Sequence, residues 1–308
     1  MKSSNESISV NKRIASFRDA FLFKLRDYAQ LMKFRLLLLV IFTSSMSYII
    51  SASADINLWH LAFLIAGGFL VAGSANALNE VLEKDYDVLM ARTKDRPLPA
   101  ERMSVQEAVI FAGITAVLGI VLLYNINSLV AILGALSLFS YAFIYTPLKR
   151  VTPFSVFVGA LPGALPILIG GLAYSGSTDR LMLIVLLFGV QFVWQFPHFW
   201  AIAWKGDEEY KKAGFYLLPS ASGNCDSSVG KISFVYSLLL FPLMFGLHYY
   251  GDLTYLALMV LLLMSTHYAY SAFKLWRHCS DFYARKLMYS SFLYLPVVLF
   301  VVFIDSMI

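Results

Sequence analysis

Residues 57–78 read NLWHLAFLIAGGFLVAGSANAL, and they run directly into Asn79-Glu80-Val81-Leu82-Glu83-Lys84-Asp85-Tyr86-Asp87. The first part contains no Asp, Glu, Lys or Arg and is long enough to supply the roughly 20 apolar residues that a helix needs to cross a bilayer. It is continuously apolar rather than alternating, so it does not read as a membrane strand. The second part turns abruptly polar without a turn signal. The stretch therefore predicts a membrane helix that carries its polar residues out through one face of the bilayer.

Eight further stretches resemble the first part, near 36–52, 105–124, 128–147, 153–174, 181–203, 232–250, 254–273 and 287–305. The whole chain of 308 residues is 59% hydrophobic and only 14% charged. Soluble domains carry about 25% charge, so this chain lacks the polar surface of a water-soluble globule. A cytosolic enzyme, a disordered chain and a secreted disulfide scaffold are excluded, the last also because there are two cysteines, Cys225 and Cys279. The net charge of +5 is too small to argue for nucleic acid as a partner. The expected partner along most of the surface is the lipid bilayer.

Lys and Arg orient the spans, because cytoplasmic loops are enriched in them. Of 24 such residues, 23 fall before the first span or in alternate loops after it, and Arg180 alone falls on the other side. The expected fold is an all-α membrane protein of nine transmembrane helices, N-terminus cytoplasmic, C-terminus outside, with the active site at the cytoplasmic face. Residues 1–33 form a cytoplasmic N-terminal segment in which Phe17, Phe21, Phe23 and Leu25 among basic residues predict an interfacial helix. Residues 34–308 form a single nine-span domain. The two long loops, 79–104 and 204–231, are both on the inner side, where neither cysteine is expected to be bridged.

The first of these loops opens with Asn79, Glu83 and Asp87, spaced i, i+4, i+8. On one helix they lie within roughly 80° of each other over about 12 Å. Two carboxylates and an amide on one stripe call for a cation between them. Mg²⁺ suits, since it takes one or two carboxylates and completes its shell with water and phosphate oxygens. Arg92, Lys94 and Arg96 follow before Pro97 and Pro99, so an acid stripe and a basic cluster meet at a membrane boundary, which reads as a metal–diphosphate site. The sixth span closes similarly, with Trp194-Gln195-Phe196-Pro197-His198-Phe199-Trp200 followed by Asp207, Glu208 and Glu209 and then Lys211 and Lys212. An intramembrane histidine beside proline is a functional candidate by default. The two loops even end alike, in Leu98-Pro99 and Leu218-Pro219, as two related four-span halves followed by a ninth span would.

These residues carry a resemblance. Asn79-x-x-x-Glu83-x-x-x-Asp87 followed by Arg92-Thr93-x-x-Arg96-Pro97-x-Pro99 resembles the first motif of the UbiA-type intramembrane prenyltransferases. Its form, with Tyr145-Thr146-Pro147-Leu148-Lys149-Arg150, the Trp194–Trp200 run, Asp207 to Tyr210, and Ala284-Arg285-Lys286-Leu287 with Tyr294-Leu295-Pro296, is similar to the protohaem IX farnesyltransferase (haem O synthase) branch, over about residues 27–305. Phe34 stands where that branch often has proline, and the second motif lacks the paired-aspartate spacing of the quinone-type relatives.

The resemblance implies transfer of farnesyl from farnesyl diphosphate to a vinyl group of haem B, with water added, giving haem O in a bacterial cytoplasmic membrane. It implies Mg²⁺ on Asn79, Glu83 and Asp87, with Asp207 or Glu209 assisting. Arg92, Arg96, Lys149 and Arg150 are expected to neutralise the diphosphate, and Tyr145 with Phe196, Phe199 and Trp200 to line the site. His198, with Phe199 and Trp200, is expected at the haem, either as iron ligand or as an orienting group. Haem A synthase or terminal-oxidase assembly are the partners that would take the product. Two other readings compete: a quinone-precursor prenyltransferase of the same fold, and a secondary transporter, which would place polar groups at the midplane.

Overall fold

The computed structural model describes residues 18–53, 55–174, 180–220 and 222–307, and all regular structure among them is helical. Nine of the helices are long and apolar enough to span a membrane. A short helix, α1 (18–31), precedes them. Then follow α2 (Phe34–Ala52), α3 (Leu58–Asp87), α4 (Val105–Tyr124), α5 (Ser128–Leu148), α6 (Ser155–Leu172) and α7 (Leu181–Lys205). A short helix, α8 (Asp207–Lys212), leads to α9 (Ser227–Tyr250), α10 (Tyr255–His278) and α11 (Asp281–Asp305). The chain is a multi-pass membrane protein.

The helix boundaries have local causes. Asn57, Ser104, Asn127, Asp226 and Thr254 each stand just outside a helix with a side-chain oxygen accepting from its first free N–H groups. Helix α9 is interrupted at Leu239, three residues before Pro242, whose ring cannot be accommodated by an unbroken ladder. Helix α3 is 30 residues long, hence about 45 Å at 1.5 Å per residue, and outruns the apolar core of a bilayer. The 57–78 stretch and the polar stripe beyond it are thus one uninterrupted helix.

Helix α2 packs on α3, α6 and α11, while α7 packs on α6, α9 and α11. One core is built from Tyr48, Leu64, Val71, Leu123, Val130 and Leu165; the other holds Phe196, Trp200, Met244, Tyr268, Leu287 and Tyr294. Helix α6 contributes to both, so the packing does not divide between the fourth and fifth spans. Small residues permit the closest approaches: a Cβ on Gly170 of α6 would stand 1.9 Å from the Ser44 carbonyl of α2. Outward-facing side chains such as Leu39, Ile114, Val117, Val121 and Ile132 are exposed apolar surface suited to lipid tails.

Of the N-terminal segment, residues 1–17, including Phe17, lie outside the described residues. Over 18–31 the helix exposes Phe21, Leu22, Phe23 and Leu25 and buries Leu31. It is tied to the body by Tyr28 and Lys24 donating to Glu107 and by Arg102 donating to Asp27. The bond to the Glu107 carboxylate, with burial, pushes the Tyr28 phenol up to about 12.

Candidate active site

The lower end of α3 carries the stripe as the spacing requires. Asn79, Glu83 and Asp87 are 1%, 5% and 1% exposed, although all three are polar. Buried carboxylates are costly unless paired, and each member of the stripe is answered by a cation from a different segment. Lys33 Nζ donates to Asn79 Oδ1 at 2.5 Å. Lys149 forms an ion pair with Glu83. Arg96 Nη1 donates to Asp87 Oδ2 at 2.7 Å.

Each cation is positioned by a local irregularity. Lys33 occupies the left-handed region at φ 56°, in the break between α1 and α2. A non-glycine residue there is held by its surroundings, and such strain concentrates at functional positions. Lys149 follows a π-helical turn, Ser140–Tyr145, at the end of α5. Pro147 offers no N–H to the turn behind it, and the widened turn lets Thr146 Oγ1 donate to the Tyr141 carbonyl at 2.9 Å. The same Thr146 oxygen accepts from Asn79 Nδ2 at 3.0 Å. Arg96 lies in the turn-rich loop after α3, which is pinned by Leu98 N–H donating to the fully buried Glu80 at 3.2 Å.

The electrostatics follow from this crowding. Burial, with Arg96 nearby, brings the Lys33 ammonium down to about 7. Burial alone would lower Lys149 too, but the Glu83 carboxylate outweighs it and holds that ammonium above its ordinary value. The donor set, one amide oxygen and two carboxylates, fits a hard divalent cation. The positive charges already gathered on those oxygens show that the stripe demands a counter-charge.

Tyr145 packs against Gly159, where an added Cβ would come within 2.6 Å of its ring, and the Lys149 ammonium stands 5.0 Å from its centroid. The other expected residues lie farther out. Arg150 is exposed, bonded to the Tyr86 hydroxyl and stacked 3.9 Å over its ring. Arg92 is also exposed and donates to Tyr210 Oη at 3.2 Å, which joins the first loop to the second. Asp207 is held by Lys211 at 2.6 Å, and with Glu208, Glu209, Arg92 and Asp281 it borders a cavity of about 810 Å³. Among the described residues no three His, Cys, Asp or Glu side chains converge as a metal cluster.

On α7, His198 is stacked against Trp194 and flanked by Phe199 and Phe292. Trp200, two residues on, points to the opposite side of the helix because each residue advances by about 100°. It is buried against Phe196 and Tyr236 and so belongs to the core, as does Phe196. Lys33 and Ser291 are functional candidates that sequence reasoning passed over. Lys33 is one of many basic residues near a membrane boundary, and only the Phe34 departure beside it marks the place. Ser291 has no sequence signal.

The model of the UbiA prenyltransferase family matches residues 39–295. The protoheme IX farnesyltransferase of Cytophaga hutchinsonii is 42% identical over 272 residues, covering 88% of this chain and 94% of that protein. That of Christiangramia forsetii is 40% identical, covering 92% and 94%. Among solved structures, a digeranylgeranylglyceryl phosphate synthase shares the fold with a TM-score of 0.77 at 20% identity, covering 92% of this chain and 99% of that one. A UbiA homolog from Archaeoglobus fulgidus bound to DMAPP and Mg²⁺ follows with a TM-score of 0.64 at 15% identity, covering 90% and 99%. With a buried Asn-Glu-Asp stripe, its three cations and this agreement along nearly the whole length, the chain belongs to the UbiA prenyltransferase family.

Proposed function

We propose that this chain transfers the farnesyl group of farnesyl diphosphate to a vinyl group of haem B, with addition of water, giving haem O and diphosphate. The observation that carries the reading is the Asn79, Glu83 and Asp87 stripe with a separate cation on each member. Relatives named protoheme IX farnesyltransferase supply the acceptor, and UbiA homologs bound to DMAPP or GPP with Mg²⁺ support a prenyl diphosphate and a divalent cation. Membership of a prenyl-transferring family replaces the transporter reading.

Asn79, Glu83 and Asp87 would hold Mg²⁺, with Asp207 or Glu209 assisting from the second loop. Bound there, Mg²⁺ would draw charge from the leaving diphosphate. Lys33, Lys149 and Arg96, freed from the stripe, would turn onto the phosphate oxygens, where charge-assisted bonds are strong and directional. Arg92 and Arg150 would complete the neutralisation from the rim. The face of Tyr145 would stabilise the allylic cation as the carbon–oxygen bond breaks. His198 and Phe199 would receive the porphyrin, and the farnesyl tail would lie among the apolar helices.

The end of the molecule that carries the stripe would face the cytoplasm, with the N-terminus on that side and the C-terminus outside, in a bacterial cytoplasmic membrane. Haem O would then pass to haem A synthase or to terminal-oxidase assembly. The test is chromatographic. Purified protein given haem B, farnesyl diphosphate and Mg²⁺ is expected to yield a more hydrophobic haem and release diphosphate. Full product formation by Glu83→Gln or Asp87→Asn would overturn the reading.

A further inference from the structure

The imidazole of His198 is hydrogen-bonded at one ring nitrogen. Its Nδ1 lies 2.7 Å from Ser291 Oγ on the neighbouring helix α11. Ser291 is fully buried, and its hydroxyl donates to the Met288 carbonyl at 2.6 Å. A serine hydroxyl has a single proton to give. When that proton points to the carbonyl, which can only accept, Oγ meets the imidazole as an acceptor. Nδ1 then carries the ring proton, and in the neutral ring Nε2 carries a free lone pair.

The ring is also fixed in orientation. Trp194 stacks on it with centroids 4.8 Å apart and planes 16° apart. That indole is itself pinned, Nε1 donating to the Ser291 carbonyl at 3.0 Å. Phe292 and Phe199 close on the ring at 5.3 and 5.5 Å. Nε2 makes no hydrogen bond to the described residues. One turn along α7, Ile202 lines the 810 Å³ cavity, and on α11 so does Met288, three residues before Ser291. Flat aromatic groups thus surround the imidazole, about one helical turn from residues that line the cavity.

A proton on one ring nitrogen tied to a fixed acceptor, with the other nitrogen bare, is the arrangement that metal-ligating histidines use. Resting on the haem reading above, we propose that His198 ligates the iron of the haem substrate through Nε2, and that Ser291 is the positioning residue that keeps the lone pair there. The role this gives the pair is specificity. A vinyl group offers no hydrogen bond by which a protein could select it. An iron–nitrogen bond fixes the plane and distance of the macrocycle, so the vinyl group is presented by position.

The test uses the full-length protein in lipid nanodiscs, titrated with ferric haem B and followed by Soret absorbance. Wild type is expected to bind saturably with a nitrogen-ligated spectrum. His198→Ala should lose that spectrum, and added imidazole should restore it. Ser291→Ala should weaken haem binding by about tenfold, the low end of the loss expected when a ligand's outer hydrogen bond is removed. Ser291→Thr, which keeps the hydroxyl, should restore it. Binding of a farnesyl thiodiphosphate with Mg²⁺ reports folding independently and should be unchanged in all variants. Absence of saturable haem binding by wild type would overturn the haem reading itself. Haem binding with an unaltered spectrum in His198→Ala would leave that reading standing and overturn the ligation. Wild-type affinity and spectrum in Ser291→Ala would overturn the role of Ser291.

Discussion

The ammonium of Lys33 reaches Asn79 Oδ1 at 2.5 Å from a backbone position in the left-handed region. Two residues separated by 46 positions are joined where α1 breaks into α2 and where α3 leaves its apolar stretch. Lys33 is expected to swing onto the diphosphate when a metal occupies the stripe. Lys33→Met should then weaken binding of a farnesyl thiodiphosphate by about 10- to 100-fold, the range of one charge-assisted hydrogen bond. Lys33→Gly relieves the backbone and also removes the ammonium, so an equal loss in both variants assigns the effect to charge. Calorimetric titration in the presence of Mg²⁺ checks this.

Glu83 and Lys149 form an ion pair at the inner end of α3. Glu83→Gln should lower farnesyl transfer by about a hundredfold or more, since the metal contributes several kcal/mol to leaving-group stabilisation. It also leaves a buried ammonium unpaired, which costs about 3–5 kcal/mol of stability when a partner of a buried pair is removed. The double variant Glu83→Gln, Lys149→Met should recover part of the thermal stability in detergent and none of the activity. Recovery of activity would show that Glu83 served only to neutralise Lys149.

Removing the metal should act through the same stripe. Treatment with a chelator is expected to abolish transfer, and added Mg²⁺ to restore it. Asp87→Asn should raise the Mg²⁺ concentration needed for half-maximal rate by about tenfold or more, the loss of one charged oxygen ligand. An unchanged Mg²⁺ dependence would place the metal elsewhere.

The closest helix contact can be tested without touching the site. Gly170→Ala puts a methyl group 1.9 Å from the Ser44 carbonyl and should cost about 1–3 kcal/mol, as overpacking does. Gly113→Ala on α4 meets nothing within 4 Å and should be neutral or slightly stabilising, because alanine is the better helix former. Thermal unfolding of both in the same detergent gives the comparison.

The cysteines report on side and on pH. Cys279 is exposed at the end of α10, and Cys225 is half-buried with its thiol against the Trp204 carbonyl. Burial raises both thiols, Cys225 to about 12. The thiolate is the reactive form, so labelling of each should increase as the pH rises toward its raised pKa, Cys225 remaining slow until well above pH 9. A membrane-impermeant maleimide should label Cys279 in inverted vesicles and not in intact cells. Labelling in intact cells would reverse the proposed orientation.

The nine spans were legible because crossing a bilayer imposes a length and an apolarity that no local context overrides. The boundaries agree closely, and the main departures, the long tail of α3 and the earlier starts of α9 and α11, are polar turns that continue a helix beyond the apolar core. The stripe was legible for a similar reason: Asn79, Glu83 and Asp87 lie on one helix, where spacing alone sets which side chains share a face. Composition and helical periodicity are local properties, and the chain carries them without folding.

What tertiary structure decided is every relationship between helices. That Lys33, Lys149 and Arg96 each answer one member of the stripe depends on a left-handed residue, a π-helical turn and a pinned loop. That Arg92 and Arg150 are exposed and bonded to Tyr210 and Tyr86, that Trp200 packs in the core against Tyr236, and that Ser291 meets His198 across 93 residues of chain depend on packing angles. These are distances between segments whose separation along the chain carries no information about their approach. The sequence by itself determined a membrane enzyme with an acid stripe on its second span, and only the fold determined which cations hold that stripe.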